Sequence, residues 1–349
     1  MNEAIKRISD RVGLPRLIIS LLFFSICVMA LILKLPASSL ISDVIRRFGM
    51  FGILALAMIP SIQCGTGPNF ALPLGIVCGL FAMTITIQFG LTSLIWGNGF
   101  WASVIIAIPF AALAGWIYGM MLNKIKGSEM LVATYTGFSI VSFMCIIWVV
   151  IPFKNPEMAW PIGKGLRVTF ALDKSFAYFL NNFLMIKIGE IIIPTGLLLF
   201  FFGTCLAVWV FLRSKIGVAL RAAGDNPKFA QASGIDVDKC RIIGTVLSNV
   251  LGAIGIIVYA QSFGFVQLYL APLYMAFPAV AAVLIGGASA KKAKISHAIL
   301  GVFLFQGLLT VALPVANQIF SEGNLSEVLR MIVQNGIILY AITKVGGAD

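Results

Sequence analysis

Apolar runs near 20 residues long recur from residue 17 to residue 345 of this 349-residue chain, and most are long enough, as helix, to cross a hydrocarbon core of about 30 Å, two being shorter or more broken than the rest. The runs lie at about 17–33, 48–63, 70–89, 103–122, 130–151, 191–212, 242–261, 276–290, 295–313 and 328–345. They predict an all-α polytopic membrane protein of about ten transmembrane helices, forming one transmembrane domain over residues 1–349. Only 11% of the residues are charged, against roughly a quarter in soluble domains, so the lipid bilayer is the solvent for most of the chain. The first run leads into Lys34-Leu35-Pro36 rather than a small-residue cleavage pattern. It is therefore expected to be a retained span rather than a secretory signal.

The net charge of +12 does not point to nucleic acid, because the basic residues sit at the edges of apolar runs instead of in one cluster with interleaved aromatics. Orientation explains them better. With the N-terminus inside, cytoplasmic segments carry Lys6, Arg7, Arg11, Arg16, Lys124, Lys126, the stretch Arg213 to Arg241, Lys291, Lys292, Lys294 and Lys344. That is about 16 of the 25 basic residues, an excess in the direction that orients membrane proteins, and it places both termini in the cytoplasm. Arg46 and Arg47 then fall outside together. So does the segment at about 152–190, which is rich in Pro, Asn and aromatics and is expected to lie on the outer face with partly amphipathic helices.

Two places break the apolar pattern. In Gln63-Cys64-Gly65-Thr66-Gly67-Pro68-Asn69-Phe70, Gly and Pro interrupt a helix and free backbone groups that lipid does not tolerate, so the break must face protein or a cavity. A second lies between Gly264 and Pro278. Five spans on either side of residue 175 would place the halves in opposite orientations, as in an inverted repeat with broken helices. Ordinary loops between packed helices are the alternative.

Away from their ends, the spans so read contain no Asp, Glu, Lys or Arg. The mid-membrane ionisable groups of proton pumps and ion-coupled carriers are missing. No nucleophile with a base, no carboxylate pair and no metal-ligand set can be assembled, which argues against an enzyme and leaves no catalytic or metal residues to name. The six cysteines lack a CxxC pair, and the single histidine, His297, sits near a span end beside Lys291 to Lys294. Neutral polar residues remain to line a path or to bridge helices, and the candidates for a translocation path are Gln63, Asn69, Phe70 and Gln88. A transporter of this kind is a passive channel, a carrier that binds cations through backbone oxygens, or a subunit driven by another protein.

The segment at about 213–241 bears on that choice. Ile216 to Ala223 forms a helical turn or two ending at Gly224, a residue suited to a C-terminal cap. Asp225 or Asn226 caps a second short helix that has Pro227 at its first position and Gly234 as its terminator. This helix would expose Lys228, Phe229 and Gln231 to a soluble partner, unless the segment is only a well-capped connection.

In Gly217, Arg221, Ala222, Gly224, Asn226, Ala230, Ser233, Gly234 and Ile235 the segment resembles the cytoplasmic loop of permease subunits from ATP-binding-cassette (ABC) importers of the ribose and branched-chain amino acid type. Ala281 to Ser289 is similar to the apolar run of that family into Ile-Gly-Gly-x-Ser, with Gly301 and Gln306-Gly307-Leu308-Leu309 following in register. The resemblance implies that the loop, including Lys228 and Phe229, is a coupling helix receiving motion from a separate ATPase. It also implies a second permease copy or sister permease, an extracytoplasmic solute-binding protein and a place in the plasma membrane of a prokaryote. ATP would sit on the partner, since this chain has no Gly-x-x-x-x-Gly-Lys-Ser/Thr motif. The first half departs from the family: Cys64 to Gly75 replaces a Gly-Gly-Ile-Asp-Leu-Ser-Val-Gly type motif, and its Asp is absent. The neutral spans and the resemblance together favour a small uncharged solute, a monosaccharide or nucleoside, with an amino acid as the alternative within the family.

Overall fold

A computed structural model describes residues 14–91, 99–159 and 165–319, with isolated helical positions between 328 and 339. Lys6, Arg7, Arg11, Lys164, Lys344 and most of the run expected at 328–345 lie outside the described residues. The apolar runs form helices α1 (Leu14–Ile32), α2 (Ala37–Leu56), α3 (Met58–Gln63), α4 (Leu72–Gln88), α5 (Gly99–Lys124) and α6 (Glu129–Val150). Helix α7 (Phe179–Asn182) is a single turn; α8 (Thr195–Arg213), α9 (Lys215–Asp225), α10 (Pro227–Ala232), α11 (Val237–Phe263), α12 (Ala271–Ile285) and α13 (Ile295–Ile319) follow. Among the described residues six helical segments are long and apolar enough to cross a membrane, α2 and α3 counting together as Ala37–Gln63, and α1, α4 and α12 are shorter apolar helices.

Helix α11 lies at the centre, packed on α2, α3, α4 and α5, while α13 packs on α1, α2 and α12. Small residues permit these close approaches, because apolar helices in lipid gain from van der Waals fit rather than from leaving water. A Cβ on Gly115 would lie 2.8 Å from Val246 Cα, and one on Gly75 would overlap the Asn249 carbonyl. The Gly286 and Gly301 positions do the same for α12 against α13: a Cβ on either would overlap a carbonyl of the other helix, His297 or Ala282.

Hydrogen bonds and ion pairs sort the loops onto two ends of the bundle. At one, here the proximal end, Gln63 Nε2 donates to the Ala293 carbonyl (2.8 Å), Asn123 Nδ2 to the Asp238 carbonyl (2.8 Å), and Lys126 pairs with Asp238 (2.7 Å). Arg241 reaches Glu129 at 2.7 Å with both side chains largely buried. At the distal end β1 (Thr169–Ala171) pairs antiparallel with β4 (Phe265–Gln267), and β2 (Ile186–Ile188) with β3 (Ile191–Ile193).

Three expectations are corrected. The chain is mostly helical rather than all-α, because the segment at 152–190 forms short β ladders and one helical turn instead of amphipathic helices; the ladder to β4 pairs backbone groups that no long helix there would satisfy. The second span begins at Ala37 rather than near 48. Asp43, Arg46 and Arg47 therefore sit inside helix α2, about 9–15 Å along its axis at 1.5 Å per residue, ahead of the apolar run at 48–63. Their polarity is tolerated because Asp43 and Arg46 pair at 2.6 Å and all three line cavities.

Candidate functional site

The 213–241 segment is a chain of caps. Ser214 Oγ accepts from Gly217 N (3.2 Å) to start α9, Asn226 Oδ1 accepts from Phe229 N (3.1 Å) to start α10, and Asp236 Oδ1 accepts from Lys239 N (3.0 Å) to start α11. Pro227 occupies the first turn of α10, and Gly234 takes a left-handed φ of +80° where the chain reverses. Arg221 donates to the Leu212 carbonyl (3.1 Å), and Gly217 packs where a Cβ would overlap the Phe211 carbonyl. Ala230 is fully buried in a small cluster with Ala223 and Cys240, whereas Lys228, Phe229, Gln231 and Ser233 are exposed, Phe229 to 66%. An exposed phenylalanine at the tip of a short capped helix is the type of anchor that partner surfaces enclose.

Gly224 is not the cap that its sequence suggests. Helix α9 continues to Asp225 and Asn226 alone caps α10. Gly224 lies instead against the break after α3: a Cβ there would overlap the Gln63 carbonyl, and a Cβ on Gly65 would come within 3.1 Å of Gly224 Cα. Gly65 has φ +84°, a conformation that L side chains rarely adopt. The end of α9 and the broken helix thus meet backbone to backbone.

The four path candidates separate. Gln63 bonds Ala293 and borders a 370 Å³ cavity with Arg213, Arg221 and Lys294. Asn69 is buried with its Nδ2 on Ser248 Oγ (2.9 Å), and the Phe70 ring lies 6.4 Å from that of Phe277. Gln88 is at the distal end, where its Oε1 accepts from Asn155 N at 3.2 Å. The break itself is mostly buried within protein, and its backbone is paired locally: Gly65 N donates to the Ile62 carbonyl and Thr66 N to the Ser61 carbonyl, both at 3.2 Å.

Two distal cavities went unnoticed in the sequence. One, of 540 Å³, lies between the start of α2 and the β2–β3 hairpin and is lined by Ser38, Ser42, Asp43, Arg46, Asn181 and Glu190 among others. The second, of 660 Å³, lies among α2, α11, α12 and α13. Asp43 borders both. A signal was present: Asp43, Arg47 and Phe51 recur at the four-residue spacing that places side chains on one helix face. Among the described residues no three His, Cys, Asp or Glu side chains gather as a metal site.

The profile of the family described as branched-chain amino acid transport system / permease component matches residues 40–342. The chain belongs to this ABC permease family. It is similar to the nucleoside ABC transporter permease protein NupB of Lactococcus lactis subsp. cremoris, with 21% identity over 193 residues, 53% of this chain and 52% of that protein. NupC of the same organism, also a nucleoside ABC transporter permease protein, is 42% identical over 57 residues, 16% and 18% of the two chains. A probable branched-chain amino acid transport permease protein, LivH of Methanocaldococcus jannaschii, is 45% identical over 42 residues, 12% and 13%. The matches thus span about half or less of each relative's length. Family and apolar helices together make the chain a multi-pass protein of a prokaryotic plasma membrane and a transport subunit rather than an enzyme.

Proposed function

We propose that this chain is the permease subunit of an ATP-driven importer, with ten spans, both termini cytoplasmic and the proximal end facing the cytoplasm. Two copies, or this chain and a sister permease, form the translocation path. ATP is bound and hydrolysed on separate ATPase subunits, and a solute-binding protein delivers a small uncharged polar solute, a monosaccharide or nucleoside, to the distal end. No cofactor is bound by this chain.

The observation that carries this reading is the contact of Gly224 with Gln63 and Gly65. An ATPase pair closing on Phe229 and Lys228 would displace α10 and α9. Because α9 abuts the break between α3 and α4 with no side chain between, that displacement passes to two apolar helices as a rigid-body shift. The excess of basic residues near the proximal end, including Lys124, Lys126, Arg213, Lys215, Lys291, Lys292 and Lys294, supports the cytoplasmic orientation.

The test is affinity purification of the tagged chain from its native membranes. An ATPase should co-purify, and Phe229→Glu should abolish its capture while the chain elutes as a single species. Gly224→Arg and Ala230→Glu are poorer probes, since both residues pack inside the chain. If wild-type chain captures no ATPase and moves solute in vesicles without ATP, it is a passive channel or secondary carrier and the reading fails.

A further inference from the structure

The 370 Å³ cavity at the proximal end is lined by three cations, Arg213, Arg221 and Lys294, and by no carboxylate. Among the described residues none of the three forms an ion pair. The Arg213 guanidinium lies 3.9 Å over the Trp209 ring and Arg221 donates to the Leu212 carbonyl (3.1 Å), so two of the charges are held in place at the cavity. Like charges gathered around one cavity repel unless an anion sits among them. Gln63, which also lines the cavity, is short of a partner in the opposite sense. Its Nε2 is fixed on the Ala293 carbonyl, which leaves its Oε1 buried with no hydrogen-bond donor among the described residues. A buried acceptor without a donor is costly. An occupant that satisfies this cavity therefore carries a negative charge and a hydroxyl.

The cavity is walled by the end of α8, at Trp209, and by the start of α13, at Ser296. Seven residues deeper on each helix, about 10 Å at 1.5 Å per residue, Phe202 and Phe303 flank the half-buried Phe48 of α2, each ring 6.2 Å from it. Phe202, Leu206 and Trp209 follow the helical repeat along one exposed stripe of α8. From this geometry we infer that the cavity and the groove over Phe48 hold one anionic phospholipid, with its phosphate among Arg213, Arg221 and Lys294, a headgroup hydroxyl on Gln63 Oε1 and an acyl chain between Phe202 and Phe303. Phosphatidylglycerol has that chemistry. A soluble phosphate would use the cations and leave the groove bare, whereas an acyl chain follows the apolar walls to a depth that lies within half of a hydrocarbon core of about 30 Å. Trp209, at the junction of the charged and apolar parts, is of the residue type that bilayers hold at headgroup level. Because the headgroup touches α3, α8, α9 and the start of α13 together, it ties the Gly224 joint to the helices around it. The inference needs only that the chain spans a membrane, and it holds whichever way solute moves.

The test uses the full chain in a nonionic detergent, titrated with phosphatidylglycerol and read by native mass spectrometry as lipid retained per chain. One lipid should be retained saturably, phosphatidylcholine should not replace it, and glycerol phosphate, the headgroup without chains, should not displace it in large excess. Phosphatidylmethanol, equal in charge but lacking the headgroup hydroxyls, should bind about two- to tenfold more weakly, the loss of one hydrogen bond. Arg213→Gln combined with Lys294→Gln should weaken retention about ten- to thirtyfold, the contribution of two basic residues facing an anionic headgroup. Lys291→Gln combined with Lys292→Gln removes the same charge from the same end but outside the cavity, and should change retention by no more than about twofold. If the first pair elutes as an aggregate, Lys294→Gln alone, at an exposed position, takes its place with an expected loss of about fivefold. Equal losses in the two pairs would overturn the site, displacement by glycerol phosphate would overturn the lipid assignment, and equal binding of phosphatidylmethanol would overturn the role of Gln63. Absence of saturable phosphatidylglycerol binding overturns the inference outright. A dimer that excludes the lipid, and a monomeric Phe303→Ser variant that admits it, would give the groove to a second copy of the chain.

Discussion

The two ends of the bundle are held by different means. At the proximal end the tightest contacts run through glycine, Gly65 on Gly224 and Gly244 beneath Cys64, beside the Arg241–Glu129 ion pair and the side-chain hydrogen bonds of Gln63 and Asn123. At the distal end Gly196 likewise packs against the Leu180 and Phe183 carbonyls, but a buried side-chain network is added. Gln261, Ser262 and Asn181 form a buried triad, with Gln261 Nε2 on Ser262 Oγ at 2.6 Å and Ser262 Oγ on Asn181 Oδ1 at 2.9 Å, and Gln261 Oε1 accepts from Leu180 N at 3.1 Å. The distal end also holds the two larger cavities, of 540 and 660 Å³. Glycine contacts leave no slack to reorganise, while hydrogen-bonded side chains around open volume can rearrange. The comparison sets a main-chain joint at one end against a side-chain network around open volume at the other.

The largest effect should come from the ion pair. Arg241→Met leaves the part-buried Glu129 carboxylate without its guanidinium and should cost about 1.5–3 kcal/mol of stability, read as a lower melting temperature in detergent; the double variant with Glu129→Leu should recover most of it. Gly224→Val comes next, at about 1–3 kcal/mol for overpacking against the Gln63 carbonyl. The control is Gly203→Val, where a Cβ meets nothing within 4 Å and melting should move by no more than about 0.5 kcal/mol equivalent. Equal responses at the two glycines would break the comparison. Gln261→Leu tests the distal triad and should cost about 1–2 kcal/mol by leaving Leu180 N without the acceptor it uses. Ser214→Ala, which removes the α9 cap, should cost about 1 kcal/mol. Phe229→Ala should have the smallest effect on the isolated chain, within about 0.5 kcal/mol, and show itself only in ATPase capture.

Much of the architecture was legible because lipid imposes long apolar runs, and the runs from 17–33 to 295–313 each overlap a helix, that at 48–63 covering the end of α2 and all of α3. The caps of the 213–241 segment were legible too, since Asn226, Pro227 and Gly234 act within a few residues of themselves. What failed depends on contacts between distant residues. Gly224 looked like a cap because its real neighbour, Gln63, is far away in sequence. Ala230 was legible only as a residue of the loop motif; its burial by Ala223 and Cys240 on flanking helices was not. The start of α2 was hidden by Ser38, Ser39, Ser42, Asp43, Arg46 and Arg47, whose polarity mimics a loop; in the fold those residues face cavities and the β2–β3 hairpin, with Ser42 Oγ accepting from Ile192 N at 2.9 Å. The cavity itself draws on four helices and could be glimpsed only as the stripe of Asp43, Arg47 and Phe51.

The meeting of Gly65 with Gly224 has a mechanical meaning. Two parts joined through long side chains have play: rotamers absorb the first fraction of an ångström, and a push at one part is spent before the other moves. Main chain resting on main chain has almost none, because covalent geometry and close packing deform at steep cost. A drive train with so little backlash transmits short strokes faithfully in both directions. The same joint that would let an ATPase reset the broken helix would let a shift of that helix, when solute arrives, be felt at Phe229.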